Sequence, residues 1–184
     1  MTQSTNNNYL INGNFSLDPK KLDPWMVYYQ EGTTWLEKPE YGSIVKDEDS
    51  RPVARLKYHP GGTSLLQRTM TGRSGPYILE YSFASSFKPG ETNARCEVTT
   101  WFTIDGSWPY VLRQQTGVGW TNTSLLLNLK DDDSNFYLRV ILSGNQPDET
   151  PEYVLFRNFS LRRATDAELD SFEGAGEAAL TFKP

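Results

Sequence analysis

The chain has 184 residues, a net charge of −5, 13% aromatic side chains, one cysteine and one histidine. That length suits one domain with a sizeable core. One cysteine excludes an internal disulfide, one cysteine with one histidine excludes the usual zinc sites, and an acidic chain without a basic run argues against a nucleic-acid partner.

Residues 1–7 are polar and are expected to form a flexible N-terminus. The opening MTQSTNNN has neither the basic start nor the apolar core of a signal peptide, and no run approaches the ~20 apolar residues of a membrane span. The expected setting is therefore soluble: cytoplasmic, exported by a route without an N-terminal signal, or assembled into a larger particle. NYLINGNFS reads as a short strand through Tyr9 and Ile11 with a turn at Gly13-Asn14. LDPKKLDP is a loop, WMVYYQ from Trp25 is an aromatic strand, and EGTTWLEKPEYG is a second loop that carries Trp35. A strand over 41–46 ends at the charged turn DEDSRP. Over 53–59, Ala54, Leu56 and Tyr58 alternate with Arg55, Lys57 and His59. SLLQRTM is a strand between the turns PGG and GRSGP.

The run from Tyr77 places Leu79, Tyr81 and Phe83 toward a core and Ile78, Glu80 and Ser82 outward. A turn on Pro89-Gly90 leads to ARCEVTTWFTI, where Cys96, Val98, Thr100, Phe102 and Ile104 share one face. The other face holds Arg95, Glu97, Thr99, Trp101 and Thr103, a tryptophan among charged and hydroxyl groups. These two runs are expected to form the central antiparallel pair. Further strands follow at 108–114 and 121–130. In NFYLRVILS, Phe136, Leu138, Val140 and Leu142 oppose Tyr137, Arg139 and Ile141, and EYVLFRNFSLRR is the last strand of the run. About ten short strands with no helical period before residue 164 predict an all-β, antiparallel β-sandwich of jelly-roll type over 8–163. Residues 164–184 carry five acids against one base. They read as a mobile acidic tail or a connection to a protein partner, with a short helix capped near Thr165-Asp166.

NYLINGNFS with the later DPW, then SLLQRTMTGRSGPYILEYSFASS, then VLFRNFSLRR, resemble in order and spacing the jelly-roll carbohydrate-binding modules of families 4, 9 and 22. The resemblance spans roughly residues 8–163. It implies a non-catalytic module that binds a glycan on the concave sheet face. It also implies a structural calcium near the chain termini, where this sequence offers Asn14, Arg157 and Asn158 in place of acids; an arginine there could supply the charge itself.

Sugars present a flat patch of C–H bonds rimmed by hydroxyls, so an aromatic ring flanked by planar charged groups suits them. Trp101 with Arg95 and Glu97, and Tyr137 with Arg139, supply that combination twice. Glu80, Arg55, Lys57 and His59 would widen the face, and Trp25 and Trp35 are candidates at its rim, with the core as the alternative place for Trp25. A glycosidase would need two carboxylates across a cleft, for which Glu80 and Glu97 are the available pair. No E-x-D-x-x-E motif, triad order or phosphate loop is present, so the expectation is a small lectin-like module without catalysis and without a cofactor. The alternative is a structural or adaptor module of a phage-tail-like, adhesin or secreted assembly.

Overall fold

The structure is a computed structural model that describes residues 8–18, 20–59, 61–85, 97–104, 110–115, 119–129, 135–143, 153–171 and 180–183. Among them are β1 (Met26–Glu31), β2 (Thr34–Glu37), β3 (Gly42–Lys46), β4 (Pro52–Lys57), β5 (Thr63–Met70) and β6 (Gly75–Ala84). There follow β7 (Glu97–Ile104), β8 (Tyr110–Gln115), β9 (Thr121–Leu129), β10 (Asn135–Ser143), β11 (Tyr153–Arg163) and β12 (Leu180–Lys183). The single α-helix among the described residues is α1 (Asp166–Ser171). The strands form two antiparallel sheets of six, in the orders β2-β1-β5-β10-β7-β8 and β12-β9-β6-β11-β4-β3. The expected sandwich is thus present.

The inward faces of both sheets carry the residues that alternation assigns to them. Leu79, Tyr81 and Phe83 of β6, Val98 of β7, and Phe136, Leu138, Val140 and Leu142 of β10 are all buried in one cluster. One expectation fails. β6 and β7 do not pair; they lie in opposite sheets. Two amphipathic strands can bury their apolar faces by pairing side by side or by facing each other across a core, and alternation does not distinguish these. A polar link joins the two sheets here. The Tyr81 hydroxyl meets Thr100 of β7 and donates to Gln114 Oε1 of β8 at 3.2 Å, and Thr123 of β9 donates to the same oxygen at 2.8 Å. Burial pushes the Tyr81 hydroxyl up to about 12, so it stays protonated at neutral pH.

The N-terminal segment is a plug and not a strand. Gln67 of β5 grips Ile11 twice: its amide oxygen accepts from the Ile11 N–H at 2.8 Å, and its amide nitrogen donates to the Ile11 carbonyl at 2.8 Å. Thr69 donates to the Tyr9 carbonyl at 2.7 Å, and Tyr9 N–H donates to Leu161 of β11 at 2.8 Å. Phe159 N–H donates to the Gly13 carbonyl at 2.9 Å. Any Cβ at Gly13 would sit 1.8 Å from the Phe159 carbonyl oxygen, so only glycine allows this approach. The plug carries Phe15 inward to pack on Trp25 and Phe159, with ring centroids 5.9 and 6.0 Å away. Trp25 is 3% exposed and its indole N–H donates to the carbonyls of Ile11 and Asn12 at 3.1 and 3.2 Å. It is a core residue, which decides between the core and the binding rim for this ring and removes it from the candidate site. A tryptophan buried with its N–H satisfied by backbone is a strong anchor.

The segment expected as a loop with Trp35 contains β2, an edge strand. The segment expected as a tail holds α1 and then β12, which extends the second sheet beyond β9. Thr165 and Glu168 form a reciprocal cap: Glu168 Oε2 accepts from the Thr165 N–H at 2.9 Å, and Thr165 Oγ1 accepts from the Glu168 N–H at 3.4 Å. Arg162 of β11 donates to both Glu168 oxygens, at 2.6 and 2.9 Å, and to Glu80 of β6 at 3.3 Å. This triad ties α1 to the outward face of the second sheet. It also fixes Glu80 there, far from any role beside Glu97.

Two tests follow from these contacts. Trp25→Ala should destabilise the fold by roughly 3–5 kcal/mol in chemical denaturation, because it empties the aromatic centre beneath the plug. The hydrogen bonds from Arg162, chiefly, hold the Glu168 carboxyl at about 2 against an ordinary 4.5. A carboxyl depressed in the folded state stabilises the fold above its unfolded pKa, and the benefit fades as pH falls through the folded value. Glu168→Gln should therefore be less stable than the parent at pH 6, with the gap closing between about pH 4.5 and 2. Denaturation midpoints at stepped pH measure this; a gap independent of pH would contradict it.

Candidate functional site

The outward face of the first sheet gathers side chains from five adjacent strands. The register of β10 sets Arg139 between Trp101 of β7 and Leu66 of β5, and sets Tyr137 between Thr103 and Arg68. The next strand outward, β1, brings Tyr28 beside Ser64, and β2 brings Trp35 beside Gln30. Cross-strand neighbours lie about 5 Å apart at Cβ, so these rows form one continuous surface.

Arg139 crosses this surface. Its guanidinium carbon lies 4.8 Å from the Trp35 ring centroid and 5.5 Å from that of Tyr28. Arg68 stands over Tyr137 at 4.9 Å. Such contacts are favourable cation–π geometries. They also cover the floor. Leu66 and Ser64 point outward by alternation from the core residue Leu65, yet they are 1% and 0% exposed. Ile141 and Thr99, on the same outward face, are buried as well. Trp101 is the contrast: it stands at 39% exposure beside this covered floor. Glu97 accepts from the Thr99 hydroxyl at 3.0 Å and faces Arg113 of β8 at 3.9 Å. Burial, chiefly, pulls the Arg139 guanidinium below its ordinary value; Tyr137 and Tyr28 oppose this and the charge of Arg68 adds to it.

Of the residues picked from sequence, Trp101, Glu97, Tyr137, Arg139 and Trp35 come together here. Arg95 and Cys96 lie outside the described residues. Glu80 is on the other sheet, held by Arg162. Arg55 and Lys57 belong to β4 of that same sheet, where Arg55 donates to Ser43 at 3.1 Å and stacks on Tyr153. His59 packs edge-on against Tyr29 and Tyr41, with centroids 4.8 and 5.7 Å away, and contributes nothing to the Trp101 face. Glu80 and Glu97 project from opposite outer faces of the sandwich, so they cannot flank one bond. Sequence reasoning missed Tyr28 and Arg68. Period-two alternation through WMVYYQ and SLLQRTM would have placed both outward once the face of each strand was known.

Asn14 and Asn158 also come together. With Ser16, Arg51, Pro52 and Arg157 they line a separate cavity of about 240 Å³. Its donors are amides, a hydroxyl and two guanidinium groups. The carboxylates of Asp47, Glu48 and Asp49 cluster beside it, but Asp47 is already committed. It accepts from Arg157 at 2.8 Å, from Arg51 Nε at 3.3 Å, and from the Arg51 and Asp49 N–H groups at 2.8 and 3.0 Å. Burial pushes the Asp47 carboxyl up, and these hydrogen bonds outweigh it and hold the group below its ordinary value. Arg157 lies 3.7 Å from the Trp120 ring centroid, and the Trp120 N–H donates to Glu48 at 3.0 Å. Calcium asks for six to eight oxygens with strong negative charge. These residues do not fit it: a guanidinium occupies the place beside Asp47 that a cation would need.

No protein-family model matches the chain. No curated protein matches it either. Solved structures do. The module TmCBM61, determined in complex with β-1,4-galactotriose, aligns with a TM-score of 0.61 at 17% identity, over 86% of this chain and 99% of that one. The enzymatically active domain of tailspike protein 4 of bacteriophage CBA120 aligns with a TM-score of 0.60 at 11% identity, over 85% of this chain and 21% of that one. The C-terminal family 22 carbohydrate-binding module of Clostridium thermocellum Xyn10B aligns with a TM-score of 0.50 at 8% identity, over 87% of this chain and 96% of that one. Two six-stranded antiparallel sheets over a shared aromatic core thus give this chain the β-sandwich fold that these solved structures share.

Proposed function

We propose that the chain is a non-catalytic glycan-binding module, and that the outward face of the sheet containing β7 and β10 is its binding surface. The observation that carries this reading is the single surface formed by Trp101, Tyr137, Arg139, Trp35, Tyr28 and Arg68, with a covered floor and one ring left open. Trp101 supplies the stacking plane for a pyranose. Glu97 and the arginines supply hydrogen bonds to ring hydroxyls. Tyr28 and Trp35 hold Arg139 in place, so little side-chain freedom is lost on binding. Similarity in fold to TmCBM61, solved with a galactotriose, supports the class of ligand. Among the described residues, Glu37 of β2 and Glu97 of β7 share this face but lie four strand spacings apart, about 19 Å, too far to flank one glycosidic bond, which supports binding without catalysis.

A second reading is an adaptor module within a larger assembly. It draws on the fold likeness to the tailspike domain, of whose chain the match covers 21%. The two readings are compatible if the module anchors an assembly to a surface glycan.

A glycan array followed by titration calorimetry tests the first reading. A bound oligosaccharide should lose about 2 kcal/mol of affinity or more, on the order of 30-fold, in Trp101→Ala, as expected for an aromatic anchor. Stability of that variant should change by about 0.5 kcal/mol or less, since the ring leaves no core cavity. Tight glycan binding that ignores Trp101→Ala would place the site elsewhere.

A further inference from the structure

The arginines of this face differ from the carboxylate-paired arginines of the chain. Arg157 is paired with Asp47, and Arg162 with Glu80 and Glu168. Arg139 and Arg68 have no carboxylate partner among the described residues; rings face them instead. They are diagonal neighbours across the β5–β10 pair, because Arg139 stands opposite Leu66 and Arg68 is two residues along. Two unneutralised guanidinium groups so placed repel each other. On this face Arg139 Nε and Ser64 Oγ are buried without a hydrogen-bond partner, as are Thr63 Oγ1 and Arg157 Nε elsewhere. A half-buried cation without a counter-charge, as at Arg139, and a buried donor without an acceptor both carry a cost.

We infer that this face selects an acidic glycan, with Arg139 and Arg68 receiving a carboxylate or sulfate group of the polymer beside the sugar that stacks on Trp101. The inference rests on the proposed function, since it names the ligand class of the same surface. A planar guanidinium binds an oxyanion through two parallel N–H donors, and Arg139 already rests against Trp35 and Tyr28. The anion would neutralise the pair. The face also runs against the charge of the whole chain, which is −5. General attraction to polyanions is therefore absent, and capture of an acidic polymer has to come from a local site.

The test uses the full chain and three groups of polymers by affinity electrophoresis and calorimetry. Polygalacturonate, alginate and hyaluronan carry carboxylates, κ-carrageenan and dextran sulfate carry sulfates, and β-1,4-galactan and xylan are neutral. Binding to at least one acidic polymer is expected, and it should weaken by about tenfold or more in Arg68→Gln and in Arg139→Gln. Arg55→Gln, on the other sheet, removes the same charge and should leave binding unchanged. Arg68 is exposed, so its variant keeps the test valid if Arg139→Gln fails to fold. Carboxyl reduction of a bound uronate polymer should abolish binding, whereas a preference for the sulfated group assigns the anion as sulfate. Neutral polymers bound as tightly as acidic ones, with loss in Trp101→Ala, would overturn the acidic preference and leave the glycan surface standing. Acidic binding that is unchanged in Arg68→Gln, or equally reduced in Arg55→Gln, would overturn it as well. Binding to none of the polymers would bring down both.

Discussion

The register of β10 between β5 and β7 is the constraint on which the rest depends. Four alternate residues of this strand, Phe136, Leu138, Val140 and Leu142, are buried in the core cluster. The residues between them, Tyr137, Arg139 and Ile141, form the spine of the outward face. Core and site are thus two sides of one pleat. A slip of one residue would drive an arginine and a tyrosine into the apolar layer and expose four large hydrophobic groups. The burial that stabilises the fold also aims the site, and it leaves no intermediate arrangement.

Around that strand the molecule divides its aromatic residues by task. Phe15, Trp25, Tyr81 and Phe159 pack in sequence at the centre, with Trp25 and Phe159 at 4.6 Å and Tyr81 and Phe159 stacked at 5.2 Å. The N-terminal plug seals this centre through the Gln67–Ile11 pair and the glycine contact at Gly13. Trp101, Trp35, Tyr28 and Tyr137 lie on the other side of the first sheet, where rings meet guanidinium groups in place of other rings. Trp120 has a third role, lying against Arg157 where Asp47 and Glu48 gather. There an internal cation, Arg157, answers the buried acid Asp47.

Much of this was legible in the sequence because strand alternation is a local property. The inward and outward faces of β4, β6, β7 and β10 follow from period two alone, and with them Trp101, Tyr137 and Arg139. Pairing is not local. Nothing in YILEYSFASS or ARCEVTTWFTI says whether these strands sit side by side or face each other, so Glu80 was grouped with Glu97 although the fold puts them on opposite surfaces. Trp25 and Trp101 are the same residue type with opposite fates. WMVYYQ is apolar or aromatic at five of its six positions, which hides its alternation, whereas the hydroxyl and acidic neighbours of Trp101 reveal it. The edge strand β2 was missed because four residues within a polar segment carry too little pattern to read. Tyr28 and Arg68 join the site only through β1–β5–β10 pairing, a tertiary fact.

The central claim is that ligands meet the chain on the β7–β10 face. Indole N–H resonances in a two-dimensional proton–nitrogen spectrum, assigned by single Trp→Phe variants, report this directly during titration with a bound oligosaccharide. The Trp101 resonance should shift most and that of Trp35 should follow, while Trp25 in the core and Trp120 beside Arg157 stay in place. Shifts centred on Trp120 with Trp101 unmoved would contradict the account and move the site to the opposite sheet.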